Sequence, residues 1–233
     1  MTTKKATPAP AVTMKASQFR DLVAPVIPLA GDLQRTTPVL DAVHIDVRGK
    51  HIYATGCDRY RVGIQRIEIP DLPAGFEALV SLQSLRSILS IFKATRRADP
   101  VLSMTVVDNR LTVEVVDGLD YVDGCFVSGA MAWPLVGGAY PSVKTIITTA
   151  QATKEPSQLY VNPAFLADFK AAQKDASPML LRGSLDKAVF VQIGPDFVGA
   201  IMSVKVAQDD SSLQFDDDWS AYVAPVKSGE AAA

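Results

Sequence analysis

VTMKASQFRDLV (residues 12–23), ALVSLQSLRSIL (78–89) and QLYVNPAFLADF (158–169) are three versions of one phrase. Each has a short apolar run, then a helix-capping residue (Ser17, Ser81, Asn162), then apolar side chains at three- and four-residue spacing. That change of period from a strand to a helix, with a cap at the junction, predicts a strand–turn–helix unit used three times.

β-rich sequence follows each phrase. After the first come VLDAVHIDV, a turn at RGK, and HIYATGCDRYRVGIQRIEI. After the second come VLSMTVV, a turn at DNR, LTVEVVDG and DYVDGCFVSG; after the third, PMLLRGS, KAVFVQIG and FVGAIMSVKV. Each helix is thus followed by about three strands, which makes the chain α+β, built from repeated βαβββ units with helices on one face of antiparallel sheets.

The second helix is the clearest. Leu82, Leu85, Ile88, Leu89 and Phe92 form an apolar stripe after Ser81, while Arg86, Ser87, Ser90 and Lys93 fall elsewhere. The third places Pro163 in its first turn after Asn162 and buries Phe165, Leu166 and Phe169, showing Lys170 and Lys174. The first starts at Ser17 and buries Phe19, Leu22, Val23 and Val26; Pro25 and Pro28 shorten or kink it, because each removes a donor and clashes with the preceding turn.

With 233 residues, 48% of them hydrophobic, the chain can bury a substantial core. Residues 1–11 and the acidic stretch 209–233, with Asp216–Asp218 beside Trp219, are polar or low in complexity and expected to be mobile. No run approaches the roughly 20 apolar residues a bilayer needs, so no membrane role is expected. Cys57 and Cys125 sit in no CxxC pattern, which suggests neither a zinc site nor a disulfide framework and makes a reducing cytoplasm the expected compartment.

An enzyme finds little support. There is no P-loop, GxGxxG or GxSxG, and His44 and His51 are the only histidines. HIDVRGKH could bring His44, Asp46 and His51 together across a hairpin, but no further ligand is apparent, so ordinary strand and turn residues are the better reading. Asp117, Asp120 and Asp123 lack the oxygen spacing and terminal Glu of a calcium loop. No metal or cofactor is expected.

A net charge of −2 argues against coating nucleic acid indiscriminately. Positive charge nevertheless recurs on the exposed sides of the helices: Arg20; Arg86 and Lys93, with Arg96 and Arg97 after them; Lys170 and Lys174. Singly each is an ordinary solvated residue. Together on three repeated helices of an acidic protein they suggest a charge-segregated surface for sequence-independent phosphate contacts.

ATGCDRYRVGI (54–64) resembles a phrase in the middle domain of the bacterial DNA polymerase III β sliding clamp. In order along the chain, AYPSVKTII from Ala139 resembles that family's interdomain connector, YVNPAFLADFKAA a helix of its last domain, and GAIMSVKV its closing strand. The resemblance covers about residues 12–206. It implies a complete clamp-like domain of two βαβββ units at about 12–135, then a connector and a shortened domain of one unit at about 136–208. The family has six units per chain where this one has three; the length is nearer that of two-domain, phage-type clamps that close as trimers.

The resemblance implies a processivity factor rather than an enzyme: a homo-oligomeric ring around duplex DNA, with the basic residues named above facing the DNA, closed by a separate clamp loader and docking a DNA polymerase. By motif, a partner-peptide cleft would be lined by Cys57, Asp58, Tyr60, Arg61, Val62, Pro141, Ile146, Asn162, Phe165, Met202, Ser203 and Val204. Tyr60 is bulkier than many residues at its position, and Ser203 stands where the family usually has Pro. The bland alternative is that these residues simply pack the two parts together. A functional alternative is a clamp-derived protein that forms no ring and competes with, or binds, a host clamp.

Overall fold

The computed structural model describes residues 11–31, 37–70, 72, 75–117, 130–152, 159–184 and 187–205. In chain order the elements are β1 (Val12–Lys15), α1 (Ala16–Val23), β2 (Ala42–Arg48), β3 (His51–Cys57), β4 (Arg61–Glu68), β5 (Glu77–Ser81), α2 (Leu82–Ile91), β6 (Val101–Val107), β7 (Arg110–Asp117) and β8 (Ala130–Pro134). Then come α3 (Lys144–Gln151), α4 (Pro163–Asp168), β9 (Met179–Arg182), β10 (Val189–Ile193) and β11 (Phe197–Ile201), with short 3-10 turns at Ile27–Leu29 and Phe169–Ala172.

The strands form a four-stranded sheet, β1-β6-β7-β8, and a seven-stranded one, β5-β2-β3-β4-β11-β10-β9. The first two units exchange their leading strands: β1 of the first pairs with β6 of the second, and β5 of the second pairs with β2 of the first, all antiparallel. The third unit joins through its last strand, β11, which lies antiparallel on β4 with Gly199 opposite Gly63. A Cβ on Gly63 would come within 2.4 Å of Leu29 Cδ1, and one on Gly199 within 2.6 Å of the Val62 carbonyl oxygen and 2.8 Å of the Phe169 ring. Only glycine lets the side-chain layer close down on this seam.

Alternation along β10 and β11 assigns two faces. Val189, Val191, Phe197 and Ile201 join a core that holds Phe19, Leu22, Val26 and Leu29 of the α1 region, Leu85 and Ile88 of α2, and Phe169 after α4. Each large apolar side chain fully buried here contributes roughly 1.5–3 kcal/mol. Phe190 and Ala200 face the other way, onto Val143, Ile147 and Ala150 of α3 and its N-cap, with Cys57, Val62 and Leu40. The three repeat helices therefore share one face, as expected, and α3 covers part of the opposite one.

Several details depart from the sequence reading. α1 begins at Ala16 with Lys15 as N-cap, and Ser17 lies inside the first turn. Its backbone N–H and Oγ donate to Asp99 carboxylate oxygens at 2.9 and 2.5 Å, so a residue beyond α2 satisfies a donor that the helix start leaves unpaired. The run before α4, expected as a strand, has no strand pairing at Leu159–Asn162. The expected strand at 120–129 lies outside the described residues, as do Asp120, Asp123, Cys125, residues 1–10 and the acidic stretch from 209; β8, at 130–134, was not expected. Phe165 and Leu166, expected to be buried, are only half-buried, and of that set Phe169 alone is buried, just past the end of α4. Other expectations hold: α1 stops at Val23 before Pro25, Ser81 Oγ accepts from the Ser84 N–H at 3.0 Å, and Asn162 Oδ1 accepts from the Ala164 N–H at 2.9 Å.

Candidate functional site

The turn between β3 and β4 is Asp58–Tyr60, and its geometry explains the CDRYR phrase. Asp58 Oδ1 accepts from the backbone N–H groups of Tyr60 and Arg61 at 2.7 and 2.6 Å, while Oδ2 takes Arg61 Nε and Nη2 at 3.0 and 2.7 Å. One carboxylate thus closes the turn and holds the guanidinium. Both side chains are nearly buried, at 7% exposure for Asp58 and 10% for Arg61. Arg61 Nη1 also pairs with Asp168 at the end of α4, across 107 positions of sequence.

This network orients an aromatic platform. The Arg61 guanidinium lies 4.5 Å from the Phe165 ring centroid, and Tyr60 stacks on the same ring at 5.4 Å with 27° between planes. Cation–π and stacking contacts of this kind fix ring orientation as well as adding stability. The Met202 N–H donates to the Tyr60 carbonyl at 2.8 Å, tying the chain after β11 to the turn. Tyr60 (46% exposed), Met202 (51%), Ile146 (45%) and Val204 (45%) are large apolar side chains left at the surface. Isolated exposed apolar residues are ordinary; Tyr60 stacked on Phe165 beside Met202 is an apolar patch on a rigid base.

The other residues expected in the cleft lie elsewhere. Cys57 and Val62 are buried at 3% beneath α3, against Val143, Ile147 and Ala150. Asn162 caps α4, Pro141 is exposed in the connector, and Ser203 is half-buried. α3 thus covers Cys57 and Val62, the residues that flank the turn. Nothing in KTIITTAQ announced it, since a helix rich in β-branched residues is made by packing rather than propensity.

Beyond α3 the same face of the sheet is polar. A cavity of about 640 Å³ lies between the connector and β2–β4, lined by His44, Asp46, Arg48, Tyr53, Arg66 and Lys144 among others. Tyr140 closes one end, stacked on His44 at 5.2 Å and donating its Oη proton to the Thr55 carbonyl at 3.1 Å. Burial pushes the Tyr140 and Cys57 pKa values up and pulls His44 down, the last against the opposing pull of Glu77 and Asp46. Asp46 pairs with Arg48 at 2.9 Å, and His51 tilts against Tyr53 at 5.9 Å. His44, Asp46 and His51 do not converge, and no metal cage of three or more His, Cys, Asp or Glu occurs among the described residues. No helix among them is long and apolar enough to cross a membrane.

Arg20, Arg86, Lys93, Arg96, Arg97, Lys170 and Lys174 are all exposed. Arg20 lies against Asp21 at 3.1 Å, and Lys174 Nζ is 3.9 Å from the same carboxylate, which places the end of the α4 region beside α1. Arg86 lines a second cavity of about 780 Å³ with Gln83, Asp41, Asp58 and Arg61. Lys93, Arg96 and Arg97 follow α2 on an open loop.

No protein-family model matches the chain, and no curated protein does. Solved structures do. The β subunit of the Streptococcus pyogenes DNA polymerase has a TM-score of 0.68 at 16% identity, over 88% of this chain and 68% of that one. The Pseudomonas aeruginosa DNA polymerase sliding clamp with ligand gives 0.67 at 10% over 88% and 69%, and the Thermotoga maritima DNA polymerase III β subunit 0.67 at 11% over 89% and 68%. The chain has the α+β fold of these clamps and spans about two thirds of their length.

Proposed function

We propose that this chain, which carries the fold of the DNA polymerase III β sliding clamp, is a non-catalytic processivity factor that encircles duplex DNA in the cytoplasm as a homo-oligomer. The observation that carries the reading is the layering: three repeat helices on one face of antiparallel sheets, with a seven-stranded sheet running unbroken from the first unit into the third. A ring built this way presents helices to its hole and sheet to its rim. Arg20, Arg86, Lys93, Arg96, Arg97, Lys170 and Lys174 then meet phosphates without reading bases, while the net charge of −2 keeps the protein from gripping non-specifically.

Partner proteins, a DNA polymerase and a clamp loader among them, dock a short apolar-anchored peptide on the platform of Tyr60, Phe165 and Met202, rimmed by Ile146 and Val204. Asp58 and Arg61 position the platform from beneath, and Asn162 fixes the start of α4. Cys57, Val62 and Pro141 belong to the support that holds α3 and the connector.

The test is topological. Labelled protein loaded by an ATP-driven loader onto nicked circular DNA stays bound through gel filtration and is lost when the DNA is linearised. Equal retention on circular and linear DNA would refute encirclement. The odd number of units favours a second reading, a clamp-derived protein that forms no ring and competes for, or binds, a host clamp; peptide binding by a monomer never retained on circular DNA would establish it.

A further inference from the structure

On the face of the seven-stranded sheet that α3 partly covers, two neighbouring rows of cross-strand partners differ in character. One row runs His44, Thr55, Ile64 and Val198 across β2, β3, β4 and β11; the next runs Glu77, Asp46, Tyr53 and Arg66 across β5, β2, β3 and β4. Both rows line the cavity of about 640 Å³, and the connector adds Tyr140, Ser142 and Lys144. Neither the platform nor the basic sides of the helices uses these residues.

Six charged side chains among the described residues line this cavity, three of each sign, so together they carry no net charge. The charge is not spread evenly. Arg66 and Asp196 close on each other at 3.3 Å, and Arg66 also donates to the Pro195 carbonyl at 3.2 Å. Asp46 and Glu77, opposite each other on β2 and β5, share one guanidinium group, Arg48 Nη2, at 2.9 and 3.6 Å. Two carboxylates on one guanidinium leave that corner negative, with Asp46 Oδ1 and Glu77 Oε2 outside the pair. Lys144 pairs with no carboxylate among the described residues, so the connector side is positive. His44, stacked on Tyr140, is within reach of both ends: after burial, which lowers its pKa most, Glu77 and Asp46 raise it while Lys144 and Arg48 lower it.

A lone anion or a lone cation drawn into such a cavity leaves an uncompensated charge, whereas a dipolar ligand satisfies both ends. Two carboxylates with open oxygens on facing strands suit the planar fork of a guanidinium, and a lysine suits a carboxylate. We propose that the cavity binds a basic amino-acid residue with a free carboxylate, its side-chain cation at Asp46 and Glu77, its carboxylate on Lys144 and its methylene stem along the His44–Tyr140 pair. This chemistry has two sources, free arginine or lysine and the C-terminal residue of a partner chain. The cavity falls within the roughly 300–1,000 Å³ of ligand sites and admits either. Binding here requires no DNA, no ring and no contact with the platform, so it stands or falls separately from the proposed function.

The test is calorimetric titration of the full chain with L-arginine, with agmatine, which lacks the carboxylate, with the tripeptide Gly-Gly-Arg, and with its C-terminal amide. Arginine or the tripeptide is expected to bind saturably, and agmatine or the amide about tenfold more weakly, as for loss of one charged hydrogen-bonded pair. Lys144→Ala should weaken the carboxylate-bearing ligand about tenfold and leave agmatine unchanged, while Glu77→Gln should weaken both. Both side chains are exposed, and an unchanged circular dichroism spectrum confirms that the variants fold. Tighter binding of arginine than of the tripeptide identifies a free amino acid as the ligand; the reverse identifies a chain terminus. No saturable binding of either, equal binding of agmatine and arginine, or an affinity for arginine and the tripeptide indifferent to Lys144→Ala overturns the proposal.

Discussion

Replacing Ile147 with Ala tests whether α3 is a fixed part of the fold that covers Cys57 and Val62. Ile147 is 7% exposed and packs in the small cluster with Val62, Cys57, Phe190 and Ala200. Truncating a buried Ile costs about 2–5 kcal/mol, and a surface helix that can partly collapse onto the gap belongs at the low end, about 2 kcal/mol. α3 touches little besides this cluster, so the loss falls on local detachment of the helix more than on global unfolding. At 1.4 kcal/mol per factor of ten, detachment becomes about 30-fold more frequent. Cys57 reports it: the thiol is 3% exposed beneath α3, and burial raises its pKa, so it reacts slowly while the helix is down. In a Cys125→Ser background, modification of Cys57 by a disulfide reagent at fixed pH should accelerate about 30-fold in Ile147→Ala, with a thermal midpoint lowered by only a few degrees. An unchanged rate, or a wild-type Cys57 that already reacts like a free thiol, would refute the assignment of α3 as a cover.

Arg61→Ala leaves the Asp58 carboxylate, 7% exposed, without its cation and should cost about 3–5 kcal/mol in chemical denaturation, whereas Arg61→Ala with Asp58→Asn should cost less. Tyr60→Ala and Phe165→Ala remove the stacked pair and should weaken partner-peptide binding at least tenfold in fluorescence anisotropy while leaving oligomer mass unchanged. His44 is held neutral by burial, its pKa below 6.5, so the unfolded chain binds the extra proton: stability from this group is complete above pH 6.5 and falls as the pH drops below it. His44→Gln should flatten that acid limb in pH-dependent thermal melts. If the proposed DNA-facing surface is correct, reversing the exposed Lys93, Lys170 and Lys174 to Glu should weaken DNA loading severalfold without changing the melting temperature.

The fold was largely legible because its decisive signals are local. The period change after Ser81 and Asn162, the apolar stripe of Leu85 and Ile88, and the prolines that end α1 each act within a few residues. What escaped is tertiary in origin. Asp99 stabilises the first turn of α1 from 82 positions away, α3 exists because Val62, Phe190 and Ala200 give its apolar face a seat, and no strand among the described residues pairs with Leu159–Val161. In the site, the contact of Tyr60 and Arg61 with Phe165 came from the family resemblance, since nothing local links residues so far apart. The burial of Cys57 and Val62 could not be read, because it depends on a helix that the connector sequence does not advertise.

Encirclement is tested most directly by following single labelled molecules on linear duplex DNA after they have threaded from the ends and both ends have been blocked. A sliding clamp diffuses along the DNA, and its residence time stays nearly constant as salt rises, ending when a block is removed. A protein held only by six to ten phosphate contacts loses about 10³–10⁵ in affinity between 50 and 200 mM salt. A residence time that collapses over that range, or is indifferent to the blocks, would contradict the account.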